Sequence, residues 1–285
     1  MATRTRVCPD CKYEMPITRT SCPHCGRPQF FPNVDIAESP EEKQKLHQRF
    51  QDAIVQCQND SCWDVATRFI SACEKSVAVF ACPLLKLHRQ VASGTDVFET
   101  YYDLERLRLR ASSSKRFDWA KLRPQAEIEL LGSHHHINQI HYACLSIDGT
   151  GLESYGDCTV ALSEAMIAHR ASCFEGNTAV VFAEKHHFSQ FLRSGWTNRH
   201  RICFATCGRD LDSSCTESEF PGILVKVVGK PEDDWFIEVH VFGPMTAKTF
   251  EAVRVNVTRH SHREELLRDA VQQKLDGIRF EVIRS

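Results

Sequence analysis

Two Cys-x-x-Cys pairs stand ten residues apart near the start of the chain, Cys8-Pro-Asp-Cys11 and Cys22-Pro-His-Cys25, and Gly26 follows the second. A turn of that spacing points two thiolates at one ion, and two such turns close a tetrahedral four-sulfur shell, the arrangement Zn2+ favours. Gly26 supplies the positive-φ residue that lets backbone N–H groups reach the sulfurs, and Lys12 holds the equivalent place after the first pair. A closed shell leaves no open position. Cys8, Cys11, Cys22 and Cys25 are therefore read as ligands of a structural Zn2+, and without it this segment has too few apolar residues to fold. His24 reads as an exposed turn residue rather than a further ligand.

The other ten of the 14 cysteines are scattered without a regular framework. The N-terminal "MATRTRVCPDC" lacks the apolar core of a signal peptide, so these thiols are expected to be buried and inert in a reducing, cytoplasmic compartment. A net charge of −2 gives no overall basic field to advertise nucleic-acid binding. No apolar run approaches the ~18–20 residues of a membrane span. With 42% hydrophobic and 25% charged residues, a packed core is affordable and global disorder is disfavoured.

Three regions are expected: a zinc-binding segment and linker over 1–38, a helical region over 39–122, and an α+β domain over 123–285. The prolines at 28, 32 and 40 suggest an extended linker. Ser39-Pro40-Glu41-Glu42 is a helix start, with Ser39 as N-cap and Glu42 completing a capping box, and Leu46, Phe50 and Ile54 give its apolar stripe. A second helical pattern runs from Asp60 or Ser61 through Val65, Phe69, Cys73, Val77 and Phe80 until Pro83, and a third covers 96–110. Beyond about 125 the texture turns β-rich. Strands are expected at 126–131, 140–147, 158–162, 201–206, 223–228, 235–242 and 251–257, and helices at 179–194 and 261–275. Many strands with few helices between them imply antiparallel pairing.

Within this domain, Phe236, Glu238, His240 and Phe242 of "WFIEVHVF" share one face of a strand, so a glutamate sits among aromatics. It reads either as an outward-facing residue on a half-exposed strand or as a rigidly held carboxylate of a site. "HRASCFEGN" is either a surface strand and Asn turn or an anion clamp of Arg170 and Ser172. Cys173 has no identifiable base beside it and reads as a buried thiol. His134, His135 and His136 read as a polar loop, whereas His141 enters an apolar run. "DGTGLESYGD" does not complete a dinucleotide fingerprint and reads as a loop leading into a strand.

The cysteine-bearing segment resembles zinc ribbons. In order, "SYGDCTVAL", "HRASCFEGN" and "FIEVHVFGPMTAKTFEAVRV" resemble characteristic blocks of ADP-ribosyltransferase-like domains, closest to bacterial toxin-like and uncharacterised members, over about residues 130–258. The resemblance implies a mostly antiparallel split β-sandwich that grips NAD+ as substrate. It implies binding roles for His141, Tyr155, Arg170 and Ser172, a catalytic role for Glu238, and a protein or nucleic acid as acceptor. A carboxylate fixed near the ribose would stabilise the oxocarbenium-like state formed as the nicotinamide bond breaks. Many transferases carry a second Glu or Gln two residues before the catalytic one. Here that position is Phe236, which puts arginine as acceptor in doubt. Two other readings compete. One is a non-catalytic zinc-ribbon interaction protein. The other is a metal-dependent nuclease built on Asp233 or Asp234 with Glu238 and His240, which lacks the expected lysine.

Overall fold

The computed structural model describes residues 5–8, 11–16, 21–26, 31–92, 97–106, 118–131, 137–184, 188–257 and 261–283. It is a mixed α/β protein with a large, mostly antiparallel sheet. The N-terminal segment is a small hairpin of β1 (Thr5–Val7) and β2 (Glu14–Pro16). After it come α1 (Pro32–Ala37), α2 (Pro40–Asn59) and α3 (Trp63–Glu74), then β3 (Val77–Cys82), α4 (Leu84–Ala92), α5 (Tyr101–Arg106) and α6 (Trp119–Leu131). The chain continues through β4 (Ile140–Ser146), β5 (Cys158–Leu162), α7 (Glu164–Ile167), β6 (Ala171–Phe174), α8 (Thr178–Ala183), β7 (Arg193–Gly195) and α9 (Arg199–Cys207). It ends with α10 (Phe220–Leu224), β8 (Val225–Lys226), β9 (Trp235–Phe236), β10 (Glu238–Phe242), β11 (Phe250–Asn256), α11 (His262–Lys274) and β12 (Arg279–Ile283).

Eight strands pair in the unbroken order β12-β11-β5-β3-β4-β10-β6-β7, and only β11 and β12 run parallel. The two facing half-sheets expected of a split sandwich are not how these strands are hydrogen-bonded. Nor does the sheet respect the boundary expected at residue 122, because β3 sits in its middle between β5 and β4. Residues 77–82 were expected to prolong the preceding helix, since Val77 and Phe80 continue its stripe. The β-branched run Val77-Ala78-Val79 instead leaves the helix at Lys75, with no Gly or Pro to mark the break.

Both faces of the sheet are covered. On one, Ala78, Leu145, Val160, Val239, Val241, Val253 and Val255 join Phe69 of α3 and Ile202 and Phe204 of α9 in the main core. "RICFAT", expected as a strand, is therefore the buried helix α9. Its apolar side chains point several ways, so a period of two and one of 3.6 look alike over six residues. The opposite face carries Phe174, Ile140 and Phe242 under α1 and α6, and Val79, Cys144, Ala161 and Phe236 under the segment around Leu152. "AEIELL" is likewise the end of α6, burying Ala126, Glu127, Leu130 and Leu131 at helical rather than alternating spacing.

The linker expected to be extended includes α1, with Pro32 at its first position. Asn33, fully buried, fastens α1 to the sheet by donating to Arg170 O (3.1 Å), Ser172 Oγ (2.9 Å) and His240 O (3.0 Å). The Ser39 cap is present, its Oγ accepting from Glu42 N at 3.3 Å. Of the expected helix at 96–110, Tyr101–Arg106 form α5, residues 97–100 are not helical, and 96 and 107–110 lie outside the described residues. The expected helix at 179–194 contains α8 and then β7, and the expected strand at 223–228 contracts to β8. Among the described residues, no helix is long and apolar enough to cross a membrane.

Candidate functional site

The four N-terminal cysteines meet. Their Sγ atoms all lie within 4.8 Å of one another, with Cys8 and Cys25 at 3.7 Å and Cys11 and Cys22 at 3.5 Å. A tetrahedron of thiolates about 2.3 Å from a zinc ion has edges of about 3.8 Å, so these sulfurs can hold a metal ion with little adjustment. The two turns match: Lys12 N–H bonds Cys8 O and Gly26 N–H bonds Cys22 O, both at 2.9 Å. Lys12 (φ 60) and Gly26 (φ 70) both adopt the left-handed conformation. The rings of Tyr13 and His24 stack across the turns at 5.6 Å. Burial and the neighbouring thiols push Cys11 up to about 12. Burial acts the same way on Cys22, but the N–H groups of Cys25 and His24 bring it below the ordinary thiol value. Among the described residues no other group of three or more Cys, His, Asp or Glu ligands converges in this way. Asp234, weighed as a nuclease ligand, accepts instead from Val228 N, Gly229 N and Ser154 Oγ and shapes the turn before β9.

Glu238 opens β10, a central strand, with Cys144 of β4 and Phe174 of β6 as its neighbours in register. It is 1% exposed. The half-exposed strand is thus excluded, but neither is the carboxylate open to a cleft. Oε1 takes a 2.7 Å bond from Arg123 Nη1 of α6, and Oε2 a 2.6 Å bond from Thr178 N at the start of α8. Arg123 also donates to Thr178 Oγ1 (2.9 Å) and to Asn177 Oδ1 (3.3 Å), the residue that caps α8. Its guanidinium lies 4.2 Å over the ring of Tyr142 on β4. His240 is fully buried between two carboxylates, Nδ1 3.6 Å from Glu127 and Nε2 3.6 Å from Glu238, with Phe174 and Tyr142 against its ring.

The two glutamates differ in chemistry. Burial raises Glu127 above the usual carboxylate range, and Arg123 and His240 only partly oppose it. Burial would raise Glu238 too, but Arg123, His240 and Thr178 N–H outweigh it and hold the carboxyl at about 2. One fixed anion therefore stands beside a carboxyl that resists ionisation, the separation of roles that acid–base sites use.

The other residues expected at this site are placed differently. His141 pairs with Val241 and so points to the opposite face, where burial, reinforced by Arg170, lowers it to about 4. Arg170 donates to Met166 O (3.0 Å), Phe242 O (2.7 Å) and Pro244 O (2.9 Å), so its guanidinium ties backbone together rather than clamping an anion. Ser172 Oγ is taken by Asn33. Tyr155 lies on the Glu238 side, packed against Phe236, but donates its hydroxyl to Pro231 O at 3.2 Å. It lines a cleft of about 450 Å³ with Thr159, Arg254 and Asn256, a cleft that Glu238 does not reach. His134, His135 and His136 lie outside the described residues. Arg123, Glu127, Tyr142 and Thr178 were not anticipated. The signal was an opposite-charge i,i+4 pair, Arg123 and Glu127, hidden because that stretch reads as a strand.

Gly156, beside Tyr155, has a structural reason. At φ 151 and ψ 170 it occupies a region essentially reserved for glycine, and a Cβ there would stand 2.1 Å from the carbonyl carbon of Cys82. Gly156→Ala is expected to cost on the order of 3 kcal/mol, combining backbone strain with overpacking against main chain that cannot rotate away. A urea midpoint equal to wild type would show that the crossing at β3 is slack.

No protein-family model and no curated protein sequence matches the chain.

Proposed function

We propose that this chain is an NAD+-dependent ADP-ribosyltransferase-like enzyme in which Glu238 is the carboxylate that steadies the ribosyl cation. Cys8, Cys11, Cys22 and Cys25 would hold a structural Zn2+, whose closed shell braces the N-terminal hairpin and takes no part in chemistry. The observation carrying the catalytic reading is a carboxylate held ionised and immobile on a central strand, with Ser172 on the adjacent strand β6 and Arg170 just before it. As the C–N bond breaks, its electron pair leaves with neutral nicotinamide and positive charge grows on the sugar. A fixed anion on a rigid element favours that state without reorganising. The residues grouped with Glu238 in this reading are Tyr142, Thr178 and His240. Arg170, Ser172 and His141 hold the frame around them.

Nicotinamide release from NAD+ is the test, with protein and nucleic-acid acceptors supplied in parallel. Release by wild type is expected to fall roughly 100-fold or more in Glu238→Gln, the usual scale for losing one preorganised charge-stabilising group. No release above background from either the wild-type chain or Arg123→Ala would end the enzyme reading. A second reading is favoured by the full engagement of both Glu238 oxygens: the network fixes α6 and α8 to a scaffold that binds partners without catalysis. Silence in this assay would select it.

A further inference from the structure

The contact between α6 and the sheet is unusually polar and poorly satisfied for a permanent interface. Buried hydrogen-bonding groups are normally paired, because each one left dry destabilises the packing around it. Here Glu127 Oε2, both ring nitrogens of His240 and the hydroxyl of Tyr142 are buried without a close hydrogen-bond partner, and the interactions that remain, Tyr142 with Glu127 and His240 with Glu238, are loose. His240 stands 3.6 Å from a carboxylate oxygen on each side, just beyond bonding distance. The same helix carries Pro124 in its interior, which removes one of its own hydrogen bonds. Unlike these groups, the guanidinium of Arg123 donates to three side chains, Glu238, Thr178 and Asn177. Its Cζ stands 4.2 Å over the centre of the Tyr142 ring and its Nη1 meets Glu238 at 2.7 Å, a ring face and a carboxylate that together favour an organic cation of this shape.

We infer that Tyr142, Glu238 and Glu127 form a seat for a planar organic cation, and that Arg123 on α6 is its displaceable internal occupant. This rests on the enzyme reading above only for the identity of the natural ligand, which would be the pyridinium end of NAD+. Displacing α6 exposes the unpaired groups of His240, Glu127 and Tyr142 to a polar ligand or to water. The closed form is then the resting, self-occluded state, and Arg123 sets how much of the protein is competent to bind.

The probes are methylguanidinium and its uncharged counterpart methylurea, applied to the full chain. In wild type, the amides of Ala126–Leu131 on α6 are expected to exchange with solvent roughly 100-fold faster than those of β10, and millimolar methylguanidinium, but not methylurea, speeds them further. Folded Arg123→Ala is expected to bind methylguanidinium at least roughly tenfold more tightly than methylurea by calorimetry. If Arg123→Ala does not fold, the wild-type exchange decides. Exchange of α6 as slow as that of β10 and unresponsive to methylguanidinium overturns the proposal, as does a folded variant that binds the two probes alike. Selective binding of the cation with no NAD+ turnover by either chain leaves the seat standing and removes the enzyme reading.

Discussion

Stripping Zn2+ from the N-terminal segment is expected to unfold the hairpin of β1 and β2 completely while the eight-stranded sheet stays intact. The hairpin buries little that is apolar: its cluster is Cys8, Met15 and Cys22, with Cys11 against them. Three of those four are proposed ligands, so removing Zn2+ removes nearly the whole core. Structural zinc sites contribute about 10–16 kcal/mol of apparent binding free energy at neutral pH, which exceeds the stability of most entire domains. The main core draws instead on α3, α9 and both halves of the sheet and includes no residue of the hairpin. One zinc equivalent per chain should be found. After chelation, or in Cys22→Ser, amides of β1 and β2 should exchange at the rate of an unfolded peptide while those of β10 keep their protection. A hairpin still protected in a metal-free chain would refute the metal's structural role.

What could be read from the sequence was local. The Ser39-Pro40-Glu42 start, the helix at 261–275, and the strands at β4, β5, β10 and β11 are written within a few residues each. The fold's central fact is not local. β3 leaves the helical region and enters the sheet between β4 and β5, and nothing in "SVAVFAC" names those partners. The candidate site divides in the same way. Glu238 stood out because a charge interrupts an apolar strand, but its chief partner, Arg123, lies 115 residues away. His141 and His240 look equally promising in one dimension. Strand register decides between them, placing His141 opposite Val241, on the far face of the sheet from Glu238, and His240 opposite Tyr142, on the near one.

That long-range pair yields the second large effect. Glu238→Gln is expected to destabilise the fold by about 3–5 kcal/mol, because it leaves the guanidinium of Arg123 buried without its counter-charge. Removing both charges in Arg123→Met with Glu238→Gln should cost less than the sum of the single changes, since no unpaired ion then remains. Glu127→Gln should be nearly neutral or stabilising at pH 7, because burial already disfavours its ionised form. The pH dependence separates the two carboxyls by sign. Glu238 falls from 4.5 to about 2 on folding. The stability it contributes, about 3 kcal/mol at ~1.4 kcal/mol per unit, is present above pH 4.5 and lost as pH falls towards 2. Glu127 is raised, so its contribution runs the other way, present below its unfolded value and lost as pH rises through the folded one. Urea midpoints of wild type and Glu238→Gln should therefore lie far apart at pH 7 and converge between pH 4.5 and about 2. Curves that stay parallel across that range would mean that Arg123 does not hold the ionised form of Glu238, and the fixed anion on which the catalytic reading depends would be gone.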